Sequence, residues 1–263
     1  PTWLDTGLQR RVLSAIAQDE LRASDRVTLT ATLRYDDYDD LGSYTSPRAA
    51  LVWRIDDENI LKLQYARAFR PPTFYELGYP GTGSVEAAEI ATYELGYILK
   101  RPNWETRVTL FHSDLKGPVL LDELGTGGFA NGPDARLQGA ELEYQQRLGS
   151  RVKLDANLSY VDAAQEATGD PLPGGASLLG NLALLWQSSE RWTTALQLRY
   201  VGERSRYPGD PRPDLDPYVL LDLTLSWRTP GPGPDVHLGI KNLADADVRY
   251  ADQFQSFNGI ELP

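Results

Sequence analysis

The sequence predicts an all-β fold, an antiparallel transmembrane β-barrel, from three observations. Apolar and polar residues alternate in about twelve segments. The connections between these segments are alternately short and long, and the aromatic residues are sorted to opposite ends of the segments. Together these features describe strands that face lipid on one side and a polar interior on the other.

The alternation has a period of two, as in a β-strand with one apolar and one polar face. In 26–35 the odd positions carry Val, Leu, Ala, Leu and Tyr, whereas the even positions carry Arg or Thr. Segments 151–160 and 218–227 repeat the pattern, and no long helical pattern competes with it. The predicted strands lie near 9–20, 25–36, 46–55, 59–69, 90–100, 103–113, 136–147, 150–161, 177–187, 190–202, 218–228 and 235–243.

The connections give the direction of each strand. Short turns such as RASD (22–25) and KRPN (100–103) alternate with long segments. In an antiparallel sheet, this order places every short turn at one end and every long loop at the other, which is the layout of bacterial membrane barrels. The predicted long connections are 36–45, 70–88, 113–135, 162–176 and 202–217, and another begins near 245.

The aromatic residues mark two rims on the apolar face of the predicted strands. Tryptophan and tyrosine favour a membrane–water interface because each has an apolar body and a polar tip. A soluble β-sandwich also alternates, but it has no reason to sort tryptophan to one rim and tyrosine to the other. The short-turn rim carries Trp53, Trp104, Trp186, Trp192 and Trp227, and the long-loop rim carries Tyr35, Tyr65, Tyr93, Tyr160 and Tyr200.

The polar face of the predicted strands is rich in charge, with Arg34, Lys62, Arg107, Lys153 and Asp222 among its members. A small barrel fills its interior with packed side chains, whereas a wide one encloses water or a polar domain. The sequence therefore predicts a wide lumen that holds water or a polar plug.

Composition excludes several classes of function. The 263 residues carry a net charge of -11, which argues against a general nucleic-acid-binding protein. No apolar run approaches the ~20 residues of a membrane helix. Cysteine is absent, and the two histidines, His112 and His237, lie in predicted strands. No nucleophile–base constellation is visible, so we expect neither an enzyme nor a cofactor.

Several motifs, in order along nearly the whole chain, resemble those of TonB-dependent outer-membrane receptors. FRPPTFYEL resembles the family signature "FRaPt..eL", and GAELEY resembles "GvElel". The segments that carry the resemblance are 15–38, 46–53, 61–77, 91–97, 136–148 and 239–250.

The resemblance implies a barrel of 22 strands around an N-terminal plug. Residues 1–263 are then expected to be the C-terminal portion of the barrel, with the final strand missing and the plug outside this chain. The implied function is active import of a large nutrient, most of all a ferric siderophore, across the outer membrane of a Gram-negative-type bacterium. The implied partners are outer-membrane lipid, a metal-chelate ligand, and the TonB complex, which would act through an N-terminal region not in this chain.

Four alternatives remain open at this stage. A receptor of the same family could import cobalamin or haem, although AFRPP (68–72) is followed by neither the histidine nor the NPxL box of haem receptors. A passive porin would need no plug. A soluble β-rich binding protein would need no membrane.

The ligand is expected at the long loops, where aromatic and arginine side chains occur together. Arginine can bind an anionic chelate through charge-assisted hydrogen bonds, and aromatic rings can stack on it. The alternative is that these residues are solvated or contact lipopolysaccharide. DDYDDLGS (36–43) does not have the calcium-loop spacing, so no metal site is predicted. The candidates are Arg70, Phe74, Tyr75, Tyr79, Arg204, Arg206 and Tyr207.

Overall fold

The computed structural model describes residues 7–121, 127–207 and 210–251. Within these residues the chain forms strands and one short helix, α1, at Phe74–Gly78. The strands are β1 Val12–Ser24, β2 Val27–Tyr38, β3 Gly42–Arg54, β4 Asn59–Arg70, β5 Ala88–Lys100, β6 Trp104–Lys116, β7 Val119–Leu121, β8 Phe129–Asn131, β9 Ala135–Leu148, β10 Val152–Gln165, β11 Leu178–Gln187, β12 Trp192–Val201, β13 Tyr218–Trp227 and β14 Val236–Ile240.

Twelve strands form one antiparallel sheet in the order β1-β2-β3-β4-β5-β6-β9-β10-β11-β12-β13-β14. Each of the twelve overlaps one predicted segment, so the all-β antiparallel prediction is confirmed. The alternation did not predict α1 or the separate β7–β8 hairpin, because both are short and lie inside long connections. Among the described residues, no helix is long and apolar enough to span a membrane.

The strands are staggered as in the wall of a barrel. One row of directly paired residues crosses eight strands from β3 to β12, starting at the short-turn end and finishing at the long-loop end. A row that moves from one end of the strands to the other shows that the strands are staggered along the sheet. Stagger of this kind goes with strands that are tilted relative to the barrel axis, which is the condition for closing a sheet into a barrel. The row is Trp53, Leu61, Tyr97, Val108, Leu142, Leu158, Gly180 and Tyr200.

The apolar face of the sheet is exposed. Leu63 lies opposite Leu51 and Leu95 in the ladder, and its side chain is 45% exposed. Leu110 and Leu158 are exposed in the same way. A β-sandwich would bury this face against a second sheet. Here the sheet needs an apolar solvent on that side, as a membrane wall does.

The opposite face carries hydrogen bonds between polar side chains of neighbouring strands. Gln64 Nε2 donates to Glu94 at 2.8 Å, and Asn181 Nδ2 donates to Asn157 at 2.9 Å. Arg107 Nη1 lies 3.4 Å from Glu143. This polar face is the side that the sequence predicted to line the lumen.

The first predicted long loop, 36–45, is mostly strand, and that prediction was wrong. β2 and β3 remain paired up to Tyr38 and Gly42, which leaves a turn of 39–41. Gly42 has φ +79°, a left-handed conformation that glycine adopts without strain. Side-chain contacts continue along this extension: buried Asp36 accepts a hydrogen bond from Ser14 Oγ at 2.5 Å, and the ring of Tyr44 stacks on Phe69.

Candidate functional site

The connection after β4 is held in shape by a capped helix. Prolines 71 and 72 cannot continue the β4 ladder, and Thr73 then caps α1. The Glu76 N–H donates to Thr73 Oγ1 at 3.2 Å, and the Thr73 N–H donates to Glu76 Oε2 at 2.7 Å, which completes a capping box. Arg70 Nη1 also donates to the Glu76 carboxylate, at 3.0 Å.

These contacts lower the pKa of Glu76. Burial raises its pKa, but hydrogen bonds from the Thr73 N–H, from Arg70 and from the Thr73 hydroxyl lower it by more, so the net pKa lies below the ordinary 4.5. Because the folded pKa is lowered, this stabilisation of α1 is complete above pH 4.5 and is lost as the pH falls through the folded pKa.

We expect acid to open α1 locally through protonation of Glu76. The reporter is the Leu77 amide hydrogen, which donates to the Thr73 carbonyl at 3.0 Å. Its exchange, corrected for the intrinsic pH dependence, should accelerate below pH 4.5. Glu76→Gln should exchange faster at neutral pH and lose this acid-dependent step. Identical pH profiles for the two proteins would contradict the assignment.

Two of the predicted aromatic residues come together with a third ring. The rings of Tyr75 and Tyr79 lie 5.5 Å apart, and each approaches Phe129 of β8, at 5.8 and 5.4 Å. Tyr75 is 49% exposed. We call Tyr75, Tyr79 and Phe129 the aromatic cluster. Phe129 was not among the sequence candidates, although a lone aromatic residue in the glycine-rich stretch GTGGFANG was a usable signal.

Hydrogen bonds tie the two loops that form the aromatic cluster. The Phe129 N–H donates to Thr82 Oγ1 at 2.8 Å. Asn131 accepts from the Glu86 N–H at 2.8 Å and donates to the Glu86 and Gly117 carbonyls. The two loops on either side of the cluster are therefore joined by hydrogen bonds between side chains and backbone.

Phe74 belongs to a different contact. The Arg10 guanidinium lies 4.8 Å from the centre of the Phe74 ring, and Arg10 Nη1 donates to the Pro72 carbonyl at 2.8 Å. Arg10 also pairs with Asp40 at 2.8 Å. Phe74 thus anchors α1 to the segment before β1. Sequence reasoning missed Arg10 because its partners are 30 and 62 residues away.

The second group of candidates lies in the connection between β12 and β13, with Arg204 at its centre. Arg204 is 7% exposed. Its Nη1 donates to the Arg249 carbonyl at 2.6 Å, its Nη2 donates to the Asp216 carbonyl at 3.1 Å, and its guanidinium lies 4.9 Å from the Tyr218 ring centre. To contact a ligand directly, Arg204 would have to leave all of these partners.

The backbone around Arg204 joins a neighbouring loop. Arg204 forms β-bridges with Ala176 and Leu215. The Gly174 N–H donates to the Ser205 carbonyl at 2.9 Å, and Ser205 Oγ donates to the Leu172 carbonyl. The connections β10–β11 and β12–β13 and the segment after β14 therefore meet at Arg204. We call this arrangement the Arg204 junction.

Arg206 is also engaged within its own loop. Its side chain is 5% exposed, its Nε donates to the Pro213 carbonyl at 2.6 Å, and its Nη1 lies 3.7 Å from Asp210. Arg212 donates to the same carboxylate and, with a smaller contribution from Arg206, lowers the pKa of Asp210 to about 2. Tyr207 is half-buried beside Gly174. Arg204 and Arg206 thus both donate hydrogen bonds to backbone carbonyls of the protein.

The acidic stretch at 36–43 is occupied by protein contacts. Asp36 accepts from Ser14 and Arg34, Asp39 accepts from the Arg11 N–H, and Asp40 pairs with Arg10. Within the part of the chain that the structure describes, no group of three or more histidine, aspartate or glutamate side chains could hold a metal ion.

Comparison with known proteins agrees with this architecture. A family model described as "TonB dependent receptor-like, beta-barrel" matches residues 1–243. The ferrienterobactin receptor of Escherichia coli is 22% identical over 82% of this chain and 34% of its own length. The ferric enterobactin receptor of Pseudomonas aeruginosa is 24% identical over 95% of this chain and 40% of its own length. The chain thus spans about a third to two fifths of these relatives.

Solved structures show the same fold. A variant of the ferric enterobactin receptor from Pseudomonas aeruginosa, in complex with enterobactin, has a TM-score of 0.78 and 24% identity, covering 91% of this chain and 40% of that one. The siderophore receptor PirA from Acinetobacter baumannii has a TM-score of 0.77 and 19% identity, covering 90% and 42%. The family consists of receptors, which confirms the prediction that this chain is not an enzyme. With the family model matching nearly its whole length, the chain belongs to the TonB-dependent receptor β-barrel family.

Proposed function

We propose that this chain is part of an outer-membrane receptor of a Gram-negative-type bacterium that imports a ferric siderophore with energy supplied through TonB. One observation carries the proposal: a tilted antiparallel wall, exposed and apolar on one side and polar on the other, in a chain of this family. Relatives named as ferric enterobactin receptors support a siderophore as the nutrient.

The two aromatic rims support the proposed position in a membrane. Trp53, Trp186 and Trp192 are exposed beside short turns, and Tyr35 and Tyr160 are exposed toward the long connections. We propose that Trp104, Trp227, Tyr65, Tyr93 and Tyr200 complete these rims at the two lipid headgroup regions. We further propose that β1 to β14 are the C-terminal portion of a larger closed barrel, because an open sheet edge is not tolerated in lipid.

The aromatic cluster is the proposed ligand contact at the long-loop end. A ferric siderophore with aromatic chelating groups is planar at those groups, so Tyr75, Tyr79 and Phe129 can stack on it. Arg70 stands at the start of the same connection with its side chain 49% exposed, and it supplies positive charge for an anionic chelate. Tyr207 is a secondary candidate, and Arg204, Arg206 and Phe74 are proposed as supports of the loops.

Replacing Tyr75 and Phe129 by alanine in the intact receptor is expected to weaken siderophore binding. Each lost ring contact is worth about 0.5–1.5 kcal/mol, which is about 2- to 12-fold in Kd. Titration of purified receptor with the ferric chelate, followed by tryptophan fluorescence, measures the change. Tyr35→Ala, at the proposed lipid rim, is the matched control and should bind normally. Equal losses in the control and the double variant would contradict the assignment.

Uptake of radiolabelled iron tests the function itself. A strain that depends on this receptor should accumulate iron from a ferric catecholate siderophore, and dissipating the proton gradient should abolish accumulation. Uptake that persists without the gradient would indicate a porin. Growth on cobalamin but not on the siderophore would assign the receptor to that nutrient instead. Full-length receptor that is soluble and monodisperse without detergent would overturn the membrane assignment.

A further inference from the structure

The β7–β8 hairpin needs neighbouring contacts to hold its position. Its strands, Val119–Leu121 and Phe129–Asn131, have three residues each and form a sheet separate from the wall. An isolated two-stranded hairpin is at best marginally stable in water. The place of Phe129 in the aromatic cluster therefore depends on what the hairpin contacts outside its own two strands.

Gly128 brings the backbone of the hairpin against the connection between β4 and β5. A Cβ atom on Gly128 would overlap the backbone nitrogen of Thr82 and the carbonyl carbon of Gly81, and it would lie 2.6 Å from Thr82 Cα. Because these are backbone atoms, no change of rotamer can make room for a side chain at this position. Only glycine allows the two backbones to approach so closely. The next residue, Phe129, donates its N–H to Thr82 Oγ1 at 2.8 Å.

Asn131 fixes the other end of the same strand. Its Oδ1 accepts from the Glu86 N–H at 2.8 Å, and its Nδ2 donates to the Glu86 carbonyl at 3.0 Å and to the Gly117 carbonyl at 2.7 Å. One side-chain amide, which offers both donors and an acceptor, thus joins the hairpin to the β4–β5 connection and to the residue after β6. The Phe129 backbone lies between these two points of attachment.

We propose that Gly128 and Asn131 are positioning residues of the ligand site, because they dock the hairpin so that Phe129 completes the aromatic cluster. The inference rests on the proposed function in taking this cluster as the ligand contact. Phe129 meets Tyr75 at an interplanar angle of 72° and Tyr79 at 87°. Such edge-to-face contacts depend on ring orientation, so a displaced hairpin would leave a ligand two rings in place of three.

Two glycine variants of the intact receptor separate docking from a general disturbance of the loops. Gly128→Ala is expected to raise the Kd for a ferric catecholate siderophore about 2- to 12-fold, the effect of losing one ring contact. Gly83→Ala is the matched control, because a Cβ atom there would meet no atom within 4 Å. Neither glycine has a positive φ, so the comparison isolates the contact with the Thr82 backbone. Equal losses in the two variants would overturn the proposal.

A double variant tests whether Gly128 acts through Phe129. Once Phe129→Ala has removed the ring, adding Gly128→Ala should raise the Kd no further, whereas a residue with a separate role would give an additive loss. Fluorescence titration of the purified receptor measures all four proteins, and their abundance in outer-membrane fractions reports assembly. Additive losses would overturn the proposal, and so would wild-type affinity in Gly128→Ala.

Amide exchange measures the docking directly. In Gly128→Ala, and in Asn131→Asp, which lacks the Nδ2 donor, exchange in 129–132 should accelerate about tenfold, whereas Gly83→Ala should leave it unchanged. Asn131→Asp should also raise the Kd in the same range as Gly128→Ala. Unchanged exchange in both variants would show that these residues do not dock the hairpin and would overturn the proposal.

The pattern of failure distinguishes this inference from the proposed function. If Tyr75→Ala weakens binding and Gly128→Ala does not, the positioning role alone is rejected. If Tyr75→Ala and Phe129→Ala both bind normally, the aromatic cluster is rejected as the ligand contact. A receptor that binds no ferric siderophore overturns the proposed function, and the positioning role is rejected with it.

Discussion

Receptor carrying Leu63→Arg is expected to disappear from the outer membrane. Leu63 lies midway along β4, opposite Leu51 and Leu95, on the exposed apolar face. A lipid-facing arginine near the midplane costs about 2–4 kcal/mol, whereas the lumenal face tolerates charge. Because a domain has only about 5–15 kcal/mol of net stability, this cost removes a large share of it.

The adjacent residue provides the control for Leu63→Arg. Gln64 points to the polar face and hydrogen-bonds Glu94 at 2.8 Å, so Gln64→Arg adds the same charge where a carboxylate can pair with it. Heat-modifiable mobility of unboiled receptor on gels, together with its abundance in outer-membrane fractions, measures assembly. We expect Gln64→Arg to assemble normally. If both variants assembled equally well, the assignment of the two faces would be wrong.

Arg204→Ala is expected to disorder three loop segments together. The change removes two hydrogen bonds from a buried guanidinium and leaves the Arg249 and Asp216 carbonyls without these donors. Hydrogen bonds to charged groups contribute about 1.5–3 kcal/mol each, and the contact with Tyr218 is lost as well. Amide exchange in 170–177, 202–207 and 244–251 should therefore accelerate together, at least tenfold, while the ladder of β3 and β4 keeps its protection.

The matched comparison for Arg204 is Arg212→Ala. Arg212 pairs with Asp210 in the β12–β13 connection and takes no part in the hydrogen bonds of Arg204 to Arg249 and Asp216, so its loss should affect exchange mainly near 210–216. Arg204→Lys keeps the charge but lacks the second donor arm and should give an intermediate result. Exchange that changes only in 202–207 after Arg204→Ala would show that the three segments are independent.

The alternation of the sequence was sufficient to predict the twelve strands of the wall, because a sheet with one apolar and one polar face imposes a period of two on each of them. The alternation failed to predict the structure where hydrogen bonds of individual side chains, rather than an apolar face, determine the local conformation. Residues 36–45 carry acidic and glycine residues that are typical of a loop, yet Asp36 is stabilised by Ser14 and Arg34 and the strands continue. The short helix α1 depends on the capping pair Thr73 and Glu76, which has no periodicity to detect.

The contacts among the long connections were less visible in the sequence than the strands of the wall. Residue type alone selected Tyr75 and Tyr79 as candidates, and the structure shows that their rings are in contact. It did not include Phe129, because the contact of this ring with Tyr79, 50 residues earlier in the chain, is visible only in the structure. It could not show that Arg204 and Arg206 donate to backbone carbonyls, since an arginine in a loop looks the same in sequence whatever its partners are.

The sequence by itself determined the twelve strands of the wall, their directions and which of their faces is apolar, because each of these depends on residues adjacent in the chain. Only the tertiary structure decided the stagger of the wall, the aromatic cluster and the Arg204 junction. Each of these depends on which residues face one another across strands or loops, and the hydrogen-bond register between strands sets that pairing.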